Sequence, residues 1–464
     1  MLGHKAVGGL VALALAMLLY GCTAYPGGAR VLAYQGGDQP LFRGIAYPLP
    51  TQEHFAPPVR YIFHIHGMGL TKRDEFHDDL YSLLAQKYPD RQPNEAWYPA
   101  KLAQAVTIKA EGMDCKRWKD HLEEGNELGG VIEKPCYFDS FGTFRVDTFK
   151  SRDGKEVVRL YTYFWHRDLW RIQEPHLRQD MLRNHLWRPA VANTYLKHDL
   201  MDGGFSDAAT YAGPAGDLAR AGISSVLCTM ALEAAGKGFH PEAAHSLRTC
   251  GDGLDTGPDV EFSYVSHSLG SRMLFDVLAP RAPLEDAAAS AERGSARGLL
   301  IDRGRTIFMA ANQLPLLALA RIQLSGDPAG GPKSASASPA TADAAAAGAA
   351  PVDPVVSLLQ AKRRFEGYTD KRKPGPPPAD SLQVIDFLDP DDILGFQASD
   401  TSKAQAEFID VSHRNAAQFF WAVTWPGTAH DHELKRPETR QMILCGARIR
   451  ANGRVVPYEC RPPV

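Results

Sequence analysis

Apolar residues recur along this chain with two periods, and the two alternate. Val59-Arg60-Tyr61-Ile62-Phe63-His64-Ile65-His66 is β-rich and stops at Gly67-Met68-Gly69, after which Asp74 through Tyr88 takes the spacing of an amphipathic helix. Val157 through Trp165 predicts a second strand. Val260, Phe262, Tyr264 and Val265 predict a third, which breaks at Ser266-His267-Ser268-Leu269-Gly270 and resumes with Met273, Leu274, Val277 and Leu278 at helical spacing. Arg305 to Ala310, Ser381 to Leu388 and Phe419 to Thr424 complete the strand candidates. Strands alternating with helices predict an α/β fold, a mostly parallel sheet with helices on both faces.

Two intervals interrupt that rhythm. Residues 166–255 are too long for a simple crossover and read as a helical cap, with Trp170, Ile172, Leu177 and Trp187 among its apolar positions. Residues 326–354 are almost purely Gly, Ala, Ser, Pro and Thr, a composition that cannot bury a core and reads as a disordered insertion. Strand patterns continue on both sides of it, so 59–464 is read as one domain.

The N-terminus has a different composition. His4 and Lys5 precede an apolar run from Ala6 to Leu19 and then Gly21-Cys22, the layout of an export signal over residues 1–22. The run is short for a membrane span. Residues 23–58, rich in Gly, Pro and Tyr, read as a tether or an edge hairpin. Cys22 apart, six cysteines remain: Cys115, Cys136, Cys228, Cys250, Cys445 and Cys460. They fall into three local couples, which an oxidising compartment would permit as disulfides, and no C-x-x-C supports a zinc or redox site. A net charge of −3 over 464 residues gives no electrostatic case for a nucleic-acid partner.

The chemistry sits at the strand ends. Ser268 lies where a strand turns sharply into a helix, with small Ser266 two residues before it and Gly270 two residues after, although glycine is the usual residue at the first place. Asp389-Pro390-Asp391-Asp392 follows a later strand, and His430 follows the last. A serine hydroxyl needs a base to take its proton, and a carboxylate to orient that base. Asp392 is the first choice for the acid, Asp389 is close behind, and Asp386 inside the strand is third; each also suits a turn or helix cap. His432 is the alternative base. His64 and His66 face the same way on their strand, but the rest of a metal-ligand pattern is missing, so no metal and no cofactor is expected. His66 is expected to brace the glycine turn, and His267 to touch substrate or the cap.

The order Ser, Asp, His, with the strand–His-Gly-Met-Gly–helix turn upstream, resembles the α/β-hydrolase superfamily from about Val59 to Gly446. The region from Phe408-Ile409-Asp410-Val411-Ser412 to His430 looks most like its lipase-like or esterase-like members. The resemblance implies an α/β-hydrolase fold carrying a helical cap, and a Ser-Asp-His triad cleaving carboxylic esters of small molecules or lipids. It also implies an oxyanion hole formed by the backbone of Leu269 and of the Gly67-Met68 turn, Met68 in particular. Leu19-Tyr20-Gly21-Cys22 similarly resembles a bacterial lipobox, which implies lipidation of Cys22 and a place at the periplasmic side of the outer membrane. A non-catalytic envelope lipoprotein retaining the fold is the rival expectation, and a metallohydrolase using His64 and His66 is the third.

Overall fold

Val59 to Ile65 alternates its side chains between the two faces of a sheet, and both faces are covered. The computed structural model describes residues 29–31, 39–46, 59–68, 73–108, 136–183, 197, 201, 204–280, 292–318, 353–366, 381–414 and 429–459, short of a few single positions within these spans. The strands are β1 (Arg30–Val31), β2 (Gln39–Arg43), β3 (Val59–Ile65), β4 (Asp90–Gln92), β5 (Tyr98–Ile108), β6 (Cys136–Lys150), β7 (Val157–Phe164), β8 (Val260–His267), β9 (Gly304–Ala310), β10 (Gln383–Leu388), β11 (Phe408–Ser412), β12 (Gly446–Ile449) and β13 (Val455–Pro457). The helices that matter below are α1 (Arg73–Lys87), α2 (His166–Arg183), α3 (Ser206–Ala212), α4 (Ala215–Ala234), α5 (Leu269–Leu278), α6 (Ala296–Asp302), α7 (Pro354–Phe365) and α8 (Pro437–Cys445).

The main sheet runs β1-β11-β10-β9-β8-β3-β7-β6-β4, with β5 also paired to β6. From β11 to β7 every pairing is parallel, whereas β1 and the β4, β5, β6 edge are antiparallel. Strands β2, β12 and β13 form a small separate antiparallel sheet. The protein is therefore α/β with a mostly parallel mixed sheet, as the alternating periodicity predicts.

Tyr61, Phe63 and Ile65 of β3 join Phe262 and Tyr264 of β8 in one buried cluster, beneath Leu227 of α4, Leu274 of α5, Leu300 of α6 and Leu358 of α7. Ile62, Val265, Phe308 and Ile385 bury the opposite face against Leu80 and Leu84 of α1 and Met442 and Ile443 of α8. Burying each such side chain fully contributes about 1.5–3 kcal/mol relative to exposure. This double coverage explains why the central strands read as near-continuous apolar runs.

Several expectations change. Helix α4 packs its Leu218, Ile223, Val226 and Met230 into the same cluster as the sheet, so residues 215–234 of the 166–255 interval form a helix that covers the sheet. Asp353 and Pro354, the last two residues assigned to the insertion, instead open α7: the Asp353 carboxylate accepts from the Val355 and Val356 N–H groups, and Pro354 occupies the first turn. Of the three cysteine couples, Cys228 and Cys250 form a disulfide with a Cα–Cα distance of 5.7 Å. Cys115 and Cys460 lie outside the described residues, as do Cys22, the export signal and the predicted strand Phe419 to Thr424. Among the described residues no helix is long and apolar enough to cross a membrane. Replacing Cys228 and Cys250 together with serine is expected to lower the unfolding free energy by about 2–4 kcal/mol, because the bridge closes a loop over 22 residues of separation. Urea unfolding of the variant, beside the parent with and without reductant, measures this.

Candidate active site

Strand β8 ends at His267, and Ser268 turns the chain into α5 with φ 53° and ψ −126°. Non-glycine residues rarely hold positive φ, which costs about 1–3 kcal/mol and persists only where the surroundings enforce it. Here they do. The Ser268 N–H donates to Ala310 O at 2.8 Å, and the Ala311 N–H donates to Phe387 O at 3.0 Å, so the carboxyl ends of β8, β9 and β10 are stitched together. No side chain caps α5, which leaves its first N–H groups, Leu269 foremost, beside the serine.

The small residues of the turn have distinct tasks. A Cβ on Gly270 would stand 2.4 Å from His66 O, and one on Gly67 would stand 2.3 Å from Ser268 Cβ. The end of β3 and the elbow thus touch backbone to backbone. Ser266, in the place usually held by glycine, is fully buried, and its hydroxyl donates to Phe308 O at 3.2 Å and pairs with Ser271 Oγ at 3.0 Å. The extra hydroxyl is thereby satisfied, which is why serine fits. Gly270→Ala must push His66 and the elbow apart, and we expect this overpacking to lower the unfolding free energy by about 1–3 kcal/mol. Urea unfolding of the variant beside the parent measures this.

Ser268, Asp392 and His430, far apart in sequence, meet at this turn. His430 Nε2 lies 2.7 Å from Ser268 Oγ, and His430 Nδ1 lies 2.8 Å from Asp392 Oδ2. The carboxylate accepts the Nδ1–H, so Nε2 carries the lone pair that accepts the hydrogen bond of the Ser268 hydroxyl. The second oxygen of Asp392 accepts from the Leu394 N–H at 2.8 Å, which holds the carboxylate in place. All three residues are buried.

The alternatives go elsewhere. Asp389 makes a turn: its Oδ1 accepts from the Asp391 N–H at 2.8 Å, and its main-chain oxygen accepts from the Asp392 N–H at 3.0 Å. Asp386 accepts from Asn312 Nδ2 at 2.6 Å inside the sheet, where burial first and the neighbouring Asp410 second push its carboxyl well above the usual range. His432 is exposed, and its carbonyl accepts from the Lys435 and Arg436 N–H groups.

The turn after β3 is held from behind. Burial, more than any neighbouring charge, pushes the imidazole of His66 far below its ordinary pKa, so the ring is neutral. The Trp165 main-chain N–H donates to His66 Nε2 at 3.2 Å, which leaves the proton on Nδ1 to be donated to Gly67 O at 2.7 Å. The Trp165 indole stacks on this ring and donates its Nε1–H to His66 O at 3.2 Å. The peptide bond is trans, so a Gly67 carbonyl turned toward His66 turns the Met68 N–H of the same plane away from it. Sequence reasoning found His66 but missed Trp165, whose role is visible only once β7 lies beside β3. His64 stacks on Phe76 at 4.0 Å and is kept neutral by burial, and neither of its ring nitrogens has a hydrogen-bond partner among the described residues. Among the described residues no cluster of His, Cys, Asp and Glu is arranged to hold a metal ion. Compared with known proteins, the chain matches no family model, no curated protein and no solved structure.

Proposed function

We propose that this protein is a serine hydrolase of the α/β-hydrolase type that cleaves carboxylic esters through an acyl-serine intermediate. The observation that carries the reading is the hydrogen-bonded chain from Ser268 Oγ through His430 to Asp392, at 2.7 and 2.8 Å, on a strand-to-helix elbow with positive φ. Three further features support it: the nucleophile strand is central in the sheet, the acid follows β10 two strands away, and a glycine turn joins β3 to the next helix beside the elbow.

In this mechanism His430 Nε2 takes the Ser268 proton as Oγ bonds to the ester carbonyl carbon. The carbonyl π pair becomes an oxyanion, which the backbone N–H groups of Leu269 and Met68 receive. Each such donor is worth about 2.7–4 kcal/mol in the transition state. Collapse breaks the bond to the alkoxy oxygen, which leaves with the proton from Nε2. A water molecule then repeats the sequence on the acyl-serine, releasing the acid and returning the proton to Ser268. The Asp392 carboxylate accepts from Nδ1–H and stabilises the imidazolium at both steps. The export signal and lipobox-like Cys22 add the proposal that the enzyme works at the cell envelope, on small-molecule or lipid esters.

The test is covalent. The folded protein, incubated with a fluorophosphonate probe, is expected to gain one adduct, mapped by peptide mass spectrometry to Ser268. A folded protein that takes no label overturns the reading and favours a non-catalytic lipoprotein, and a label mapped elsewhere removes Ser268 as the nucleophile.

A further inference from the structure

His267, the last residue of β8, stands between the two arms of the site. Its Nε2 lies 3.0 Å from the main-chain oxygen of His430, and the two imidazole rings are 5.1 Å apart. On its other side, a Cβ placed on Gly67 would stand 2.9 Å from His267 Nδ1. The carbonyl of His430 can only accept, so His267 Nε2 carries a proton and donates it to that oxygen.

We propose that His267 is a positioning residue which fixes where His430 meets Ser268, and that its contribution is the Nε2 donor and not its bulk. The inference rests on the serine-hydrolase reading of this site. The side chain of His430 is held at its two nitrogens by Asp392 and Ser268, and its backbone lies in a helical turn between β11 and α8, outside the sheet that carries Ser268. The bond from His267 ties that backbone to the residue immediately before the nucleophile. Nucleophile and base then move as one body, because β8 lies between β3 and β9 in the sheet. Without the donor, the direct tie between His430 and the residue before Ser268 is lost, and the base can shift relative to the nucleophile. Drift of about 1 Å costs roughly 10²-fold in rate.

This predicts a split between chemistry and binding. With the fluorophosphonate probe, His267→Phe keeps a ring of similar size but no donor. It is expected to lower the maximal inactivation rate constant by about 10–10²-fold, with the half-saturating probe concentration and the melting temperature nearly unchanged. His267→Gln, whose amide nitrogen reaches about as far as Nε2, is expected to recover most of that rate. If the Phe variant does not fold, His267→Leu takes its place.

Three results would overturn the assignment: labelling of the Phe variant at the parent rate, equal losses in the Phe and Gln variants, or a change confined to the half-saturating concentration, which marks substrate contact instead. If the folded parent itself takes no label, the serine-hydrolase reading fails first. A parent that labels at Ser268 beside an unaffected Phe variant fails the His267 assignment alone.

Discussion

An alanine at Ser268, or at His430, is expected to lower kcat for a short aryl ester by about 10⁶-fold, and the double variant should be no worse than either single one. Non-additivity is the informative part. In the proposed mechanism Ser268 Oγ and His430 Nε2, 2.7 Å apart, act on one proton, so removing either partner removes the whole step. Whatever rate remains comes from the backbone donors and binding, which neither substitution touches, and should stay about 10³–10⁴-fold above water. Initial rates of the three purified variants decide it. A Ser268→Ala protein retaining a substantial fraction of the parent's rate would remove the nucleophile from the scheme, and losses that multiply in the double variant would show that the two residues do not act together.

Asp392→Asn should lower kcat by about 10⁴-fold, whereas Asp389→Asn should leave it close to the parent value. The two aspartates share one turn and differ in what they accept from. Asp392 Oδ2 accepts from His430 Nδ1–H, and an asparagine that presents its amide N–H there forces the proton onto Nε2, the nitrogen that must be bare to receive the serine proton. Asp389 accepts from a main-chain N–H, a role asparagine fills equally well. Comparing kcat of the two variants at matched folding measures the difference. A reversed ranking would mean that the carboxylate on His430 is not the working acid.

Much of the framework was legible before any coordinates, and for a definite reason. Strands β3, β7, β8, β9 and β10 are buried on both faces, so packing demands apolar residues along nearly their whole length, and the signal is local. The elbow was legible because close backbone approach tolerates only small residues, and Gly67 and Gly270 are where a Cβ would collide. Strands β5 and β6 escaped notice because their ladder shifts register and Gly142 in β6 holds φ 79°, breaking the alternation that marks a strand. Helix α4 was concealed for a related reason: it is buried on several sides, so its sequence shows no clear stripe.

The sequence by itself determined the α/β class, the positions where a nucleophile, an acid and a base could stand, and their order along the chain, since each depends on residues close together in the chain. Only the tertiary structure decided which aspartate faces His430, that His432 lies outside the site, that Trp165 clamps His66, and that His267 reaches the His430 carbonyl. These are choices between chemically equivalent neighbours. A difference of one to three residues on a turn redirects a carboxylate by several ångströms, and hydrogen bonding is lost over a fraction of that distance.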